Sequence, residues 1–387
     1  MALNVVSSDR LSTNVKTSNL ATGLSDKVGQ SKNIIINGAM NVAQRGTSTT
    51  TNNDFPVDRF RGGFSGTDES PTFAQHALTS SDTGPWAKGF RNSVHVTNGN
   101  QTGGAGTSDK VEFYTRLEAQ DIANSGWNYT STSSYITLSF WVKSSVAQNF
   151  YGYIINLDGT VKNFPFETGA LSADTWTKIT KTLPGHADLS FNNDNGEGLR
   201  IVILPFLGTD QTGSVSTGSW STYNSATRTP NNTSTWYTTN DATFEFTGVQ
   251  LEVGDTATEF EHRSYGDELA RCQRYCFNLI TPNCGQYVEL SIGTYYNSSS
   301  IYSRVPFPVA MRTKPTLVTT DATDAFNVYR SGAVDFVDNW VLGSTDHSGS
   351  YGSQIRNTTD ASGTAGDACI IRRGASSTDY FVFDAEL

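Results

Sequence analysis

The 387 residues carry 27 Lys and Arg against 37 Asp and Glu, a formal charge of -10, with 17% charged side chains, 11% aromatic ones and 35 glycines. An acidic chain without a Lys/Arg cluster is a poor partner for nucleic acid. No stretch approaches the roughly 18 apolar residues of a membrane span, and no signal sequence is read at the N-terminus, so synthesis in a cytoplasm without membrane insertion is expected.

Residues 1–32 are polar, with isolated apolar side chains (Leu11, Val15, Leu20, Leu24 and Val28) at no sustained period. Such a segment has too little apolar surface to fold alone, and it reads as an extended docking peptide that places those five side chains on a larger particle. From Asn33 the pattern becomes strand after strand, including Ile34–Ile36, Val111–Leu117, Tyr135–Val142, Phe150–Ile155, Leu199–Leu204 and Phe244–Val253, separated by Gly, Asn, Asp and Ser turns. The fold class is all-β, and residues 33–262 are predicted to form a jelly-roll sandwich. Within Tyr135–Val142, the alternation of Ile136, Leu138, Phe140 and Val142 marks the core face and puts Trp141 on the other.

Between Gly208 and Asn240 lies a loop of about 30 residues, a length that in compact domains is usually functional or unstructured. Trp220, Tyr223, Trp236 and Tyr237 are set in it among Thr, Ser and Asn, with Trp86 and Trp127 behind them. Sugars lay their C–H faces on such rings while neighbouring amides and carboxylates fix the hydroxyls. These four aromatics are therefore glycan-binding candidates, inward packing being the alternative.

The next segment, residues 263–280, reads as a connecting helix running from Ser264 to about Leu279. Leu269, Cys272, Cys276 and Leu279 follow a three-then-four spacing, the seam of a short coiled coil. The stripe either holds copies of the chain together, a homotrimer suiting a fibre, or covers the C-terminal sheet. Strand patterns resume over 281–387, a second and smaller β-domain. The four cysteines (Cys272, Cys276, Cys284, Cys369) are too few for a disulfide framework and read as reduced core residues.

Three stretches together, "NIIINGAMNVAQRG" with "VDRF", "GVQLEVGDTATEFEHRSYGDELARCQRYC", and "VPFPVAMRTKPTL" with the terminal "FVFDAEL", resemble tail-fibre and virion-appendage proteins of tailed phages of marine bacteria and cyanobacteria. The resemblance covers about residues 33 to 387. It implies a jelly-roll, carbohydrate-binding-like domain, usually a homotrimer, and location in the virion. No G-x-S-x-G, H-E-x-x-H, P-loop or dinucleotide fingerprint appears in a suitable context, so no catalytic residue and no cofactor are assigned. Asp194-Asn-Gly-Glu197 reads as a tight polar turn or a structural calcium site. The expectation is a non-enzymatic tail fibre that docks on other phage tail or capsid proteins through its N-terminus and binds host surface glycan. Capsid decoration as a head fibre, a tail adaptor, and a polysaccharide hydrolase with paired carboxylates are the alternatives.

Overall fold

The computed structural model describes residues 32–280, 284–320, 323–344, 347–374 and 380–387. The proposed docking side chains Leu11, Val15, Leu20, Leu24 and Val28 lie outside the described residues. Strands dominate, and all the paired strands are antiparallel, so the fold class is all-β as the sequence predicts.

Two sheets form a sandwich. The first orders Ser48–Thr49, Thr72–Ala77, Asn92–Thr97, Thr243–Val253, Tyr135–Ser144 and Thr177–Pro184 side by side. The second orders Ser221–Thr222, Lys162–Ala170, Asn149–Asn156, Glu197–Leu207, Lys110–Glu118, Phe60–Ser65 and Asp54–Val57. Alternate residues of each sheet meet in the middle: Phe73 and Phe246 of the first pack edge-on against Phe113 of the second, each with ring centroids 5.1 Å apart. Ile136, Leu138, Phe140 and Val142 all reach this core, and Trp141 lies on the opposite face, as the alternation requires.

Ile34–Ile36, predicted as a strand, form no strand. Their neighbour Asn37 is buried with φ 59°, the left-handed region that Asn tolerates. Its side chain accepts from Val42 N (3.0 Å) and donates to the carbonyls of Val42 and Asp58 (2.8 Å each). This satisfies three buried backbone groups that a strand ladder would otherwise have to pair.

The helix runs only from Tyr265 to Gln273. Ser264 caps it, accepting from Asp267 N at 3.2 Å, with Asp267 and Glu268 in the first turn and Arg271 in the last, the arrangement that satisfies the free N–H groups and the dipole. The chain then leaves the helix, and Cys276–Asn278 pairs as a strand with Phe381–Asp384. The coiled-coil seam is thereby corrected. Cys276 and Leu279 lie past the helix end, Cys272 and Cys276 are fully buried within the chain, and Leu269 is half-buried. Only Glu268 and Cys272 of the helix are buried, too narrow a stripe for supercoiling. Burial pushes both thiols well above their usual range, so they are protonated core fillers.

A second hydrophobic core is built on Phe326, Trp340, Phe381 and Phe383. It lies under a three-stranded sheet (Cys276–Asn278, Phe381–Asp384, Thr316–Thr319) and a larger one. The larger orders Ala333–Val337, Phe326–Arg330, Ala368–Arg373, Glu289–Asn297, Ser300–Pro306, Gly352–Asn357 and Val341–Leu342, with Ser348–Gly349 paired to Gly352–Asn357.

The two cores are joined through charge. Glu118, fully buried at the end of a sandwich strand, accepts from Arg274 Nε and Nη2 (2.7 Å each) and from Tyr275 Oη (2.6 Å). Arg59 lies 3.5 Å over the Tyr275 ring and pairs with Glu386. Arg45 pairs with Asp384 (3.2 Å), and Arg312 donates to the carbonyls of Asn195, Ala385 and Glu386 (2.7–2.9 Å). Burial alone would raise the Glu118 pKa, and the hydrogen bonds from Arg274 and Tyr275 outweigh it, holding it below its ordinary 4.5.

Removing one partner of a buried pair leaves the other uncompensated, so Glu118→Ala is expected to cost about 3 kcal/mol, read as a lower urea midpoint. Because the folded state binds the Glu118 proton less tightly than the unfolded chain, its contribution is complete above about pH 4.5 and is lost as the pH falls through the folded value. The stability difference between wild type and Glu118→Gln should therefore shrink on acidification; a difference that is constant from pH 7 to pH 3 would contradict this account.

Candidate functional site

The structure separates the four predicted glycan-binding aromatics. Trp236 and Tyr237 are 0% exposed, which corrects their reading as surface platforms. Trp236 donates Nε1–H to Thr243 O (3.0 Å), and Tyr237 stacks on Phe206 (4.3 Å between centroids) with its hydroxyl on Asp109 (3.0 Å). Trp220 is half-buried, edge-on to Phe164 with Nε1–H on Pro184 O at 2.7 Å. Tyr223 packs onto the outer face of the second sheet beside Tyr114, Tyr153 and Val202.

The long loop thus covers this sheet instead of projecting from it. Gly218 N donates to Pro165 O (2.8 Å), Tyr223 N to Val161 O (3.0 Å) and Asn163 Nδ2 to Arg228 O (2.7 Å). A loop so dense in Thr, Ser and Asn has many polar groups and only the short Ser221–Thr222 ladder to pair them, and lying along the Lys162–Ala170 strand satisfies more of them. Of the other two rings, Trp127 is buried and Trp86 carries Arg91 at 3.8 Å over its face.

Asp194 Oδ1 accepts from Gly196 N (2.9 Å), and Glu197 pairs with Arg200 Nε (2.6 Å). Those carboxylates serve a turn and an ion pair on neighbouring backbone.

The exposed aromatic surface lies elsewhere, on the outer face of the larger C-terminal sheet. Register sets Tyr329 opposite Ile370 and Ile370 opposite Ile292. Thr294 faces Tyr302, and Tyr302 faces Arg356. Tyr296 is 66% exposed and lies nearly parallel to Tyr302, with centroids 4.7 Å apart and planes within 4°. Arg372 lies 4.2 Å over the Tyr329 ring and donates to Glu289 at 2.9 Å. From the Tyr329 strand to the Tyr302 strand is three strand spacings, about 14 Å.

This face offers open π surface with guanidinium, carboxylate and hydroxyl groups at its margin. Those are the groups that hold a sugar ring by its C–H face and its hydroxyls. Sequence reasoning passed over it because the tyrosines are dispersed among three strands and only pairing assembles them. The available signal was the run "ELSIGTYYN", whose outward positions carry Ile292, Thr294 and Tyr296, the last at a bulge.

No family model matches this chain, and no curated protein does. Among solved structures, it is similar to the enzymatically active domain of tailspike protein 4 of bacteriophage CBA120 (TM-score 0.30, 11% identity, 57% of this chain and 21% of that one). It is also similar to the N-terminal cellulose-binding domain of Cellulomonas fimi β-1,4-glucanase C (TM-score 0.27, 11% identity, 56% of this chain and 99% of that one). A third is the CBM22-1 xylan-binding domain of Paenibacillus barcinonensis Xyn10C (TM-score 0.26, 10% identity, 59% of this chain and 100% of that one). Likenesses of this size carry over no binding mode, and the match to the tailspike spans about a fifth of its length.

The two sets of aromatics should separate cleanly on truncation. Trp236→Ala, which empties a packed and hydrogen-bonded site, is expected to cost about 3–5 kcal/mol. Tyr296→Ala should stay within about 0.5 kcal/mol. Urea unfolding of the two variants measures both.

Proposed function

We propose that this protein is a non-enzymatic appendage of a phage particle, a tail fibre that binds host surface glycan through the exposed face of its C-terminal sheet. The observation that carries the glycan reading is the stacked pair Tyr296 and Tyr302 on the same sheet face as Tyr329 under Arg372. The virion setting rests on the resemblance of the Asn33–Gly46, Val57–Phe60, Gly248–Cys276, Val305–Leu317 and Phe381–Leu387 stretches. Attachment would be through residues 1–32 to a phage tail or capsid protein.

Assembly as a homotrimer belongs to the same reading. A shallow site on a flat sheet binds weakly, and three linked copies raise the effective concentration of the second and third contacts. A deep pocket is then unnecessary.

A second reading is favoured by Ile292, 74% exposed on the same face, and by Phe336 at its margin. Apolar side chains of this kind suit a protein contact better than a sugar. In that case the face is covered in the assembled particle, and the protein decorates a capsid as a head fibre or adapts one tail part to another without binding host.

Glycan-array binding by the full chain is expected to fall at least about tenfold in the double variant Tyr296→Ala/Tyr329→Ala and to be unchanged by Tyr223→Ala. Light scattering should give three times the 42.0 kDa chain mass for both. Loss of the trimer in the double variant, with no glycan retained by wild type, would instead establish the face as a subunit contact.

A further inference from the structure

Apart from this face, one cluster on the sandwich is assembled from residues far apart in sequence. Thr72–Ala77, Asn92–Thr97 and Thr243–Val253 lie adjacent in the first sheet. Register places Ala74 opposite His95, His76 opposite Ser93, and Glu245 opposite His95. All these side chains point away from the core, because Phe73, Val94, Val96, Phe244 and Phe246 point into it. On the outer face His76 Nδ1 lies 3.1 Å from Glu245 Oε2, and His95 Nδ1 lies 3.9 Å from the same oxygen. One ligand atom from each of the three residues falls within 4.8 Å of the other two.

From this geometry we infer a binding site for a borderline divalent metal of the zinc type, formed by His76, His95 and Glu245. The decisive group is His95. Its Nε2 lies at hydrogen-bond distance, 3.0 Å, from Thr97 Oγ1; in the tautomer that donates Nε2–H there, Nδ1 presents its lone pair. Nδ1 is buried and has no hydrogen-bond partner among the described residues. A buried acceptor left unpaired is costly, and a metal ion satisfies it. The outer hydrogen bond orients the ring in the way that histidine ligands require.

The carboxylate is prepared in the same manner. Glu245 Oε2 accepts from Ser93 Oγ at 2.8 Å, while Oε1 is held by Lys143 Nζ at 2.8 Å, which also reaches Asp82 Oδ1 at 3.0 Å. The lysine charge is shared between two carboxylates, leaving one net negative charge in the cluster and Oε2 facing the histidines.

Metal–nitrogen and metal–oxygen bonds near 2.1 Å in a tetrahedral site set ligand atoms about 3.4 Å apart. The 3.1 and 3.9 Å separations of the histidines from Glu245 bracket this value, and His76, half exposed, has room to swing and bring the two imidazoles, now within 4.8 Å, to the same spacing. Two imidazoles and one carboxylate select zinc, cobalt, nickel or copper over calcium and magnesium, which prefer oxygen. With His76 open to water, the fourth position falls to solvent. The ion would tie together three strands, Thr72–Ala77, Asn92–Thr97 and Thr243–Val253.

The test is titration of the chelator-treated full-length chain with zinc chloride, followed by calorimetry, with cobalt(II) as a visible-absorption probe. One saturable site per chain and a tetrahedral cobalt spectrum are expected. His76→Ala and His95→Ala should each weaken zinc at least about tenfold, and Thr97→Val, which touches no metal, by about tenfold. Cys284→Ser, removing a half-exposed thiol, should change nothing. His76→Ala alters a half-exposed residue, so its folding is secure, and zinc should raise the unfolding midpoint of wild type but not of this variant. Absence of saturable binding, binding indifferent to both histidine variants, or binding lost in Cys284→Ser would each overturn the assignment.

Discussion

A carboxylate without access to water organises this molecule. Glu118 sits at the end of a sandwich strand with zero exposure, and its two oxygens take up the guanidinium of Arg274 and the hydroxyl of Tyr275, both from the chain just past the helix. A charge withdrawn from solvent is tolerable only when paired and fully hydrogen-bonded. The demand is met by residues that belong to the other half of the protein. The same holds for Arg59, which lies over Tyr275 and pairs with Glu386, and for Arg312, which gathers the carbonyls of Ala385 and Glu386. The two hydrophobic cores are thus held in one arrangement by groups with no satisfactory alternative.

The stretches that carry the family resemblance all arrive at this junction. Asn37 organises the turn after Asn33; Asp58 accepts from Gln44 N at 2.9 Å; Gln44 donates to Cys276 O at 2.7 Å; and the terminal Phe381–Leu387 segment supplies Asp384 and Glu386. Gly38 belongs to the same arrangement, since a Cβ there would meet Val249 O at 2.1 Å. These sequences are therefore structural in effect, building the connection between the two cores. The tyrosine face and the His76, His95 and Glu245 cluster lie elsewhere, on the outer faces of the C-terminal sheet and the first sandwich sheet.

The opposite fates of the aromatic residues follow from the same physics. Trp236 and Tyr237 sit in a polar loop, yet they are the largest apolar groups available there, and the sandwich core takes them in with their N–H and O–H groups paired. Tyr296, Tyr302 and Tyr329 stand on the outer face of a sheet whose other face already carries Phe326 and Ile371 into the core. Strand alternation leaves them outside.

Local pattern was enough where one segment decides its own fate. The two-residue alternation of Tyr135–Val142 set the inward face, and Ser264 followed by Asp267 and Glu268 marked the start of the helix. All-β character followed from composition and turn density. The end of the helix was not legible: Cys276 and Leu279 keep helical spacing, but pairing of Cys276–Asn278 with Phe381–Asp384, more than 100 residues away, gives those backbone groups a better partner. Nor could the sequence show the Glu118, Arg274 and Tyr275 cluster, the tyrosine face, or the meeting of His76, His95 and Glu245. Each depends on strand register between distant segments, and a shift of one residue would turn every one of those side chains to the opposite face. The sequence determined which residues alternate; only the tertiary pairing decided which of them meet.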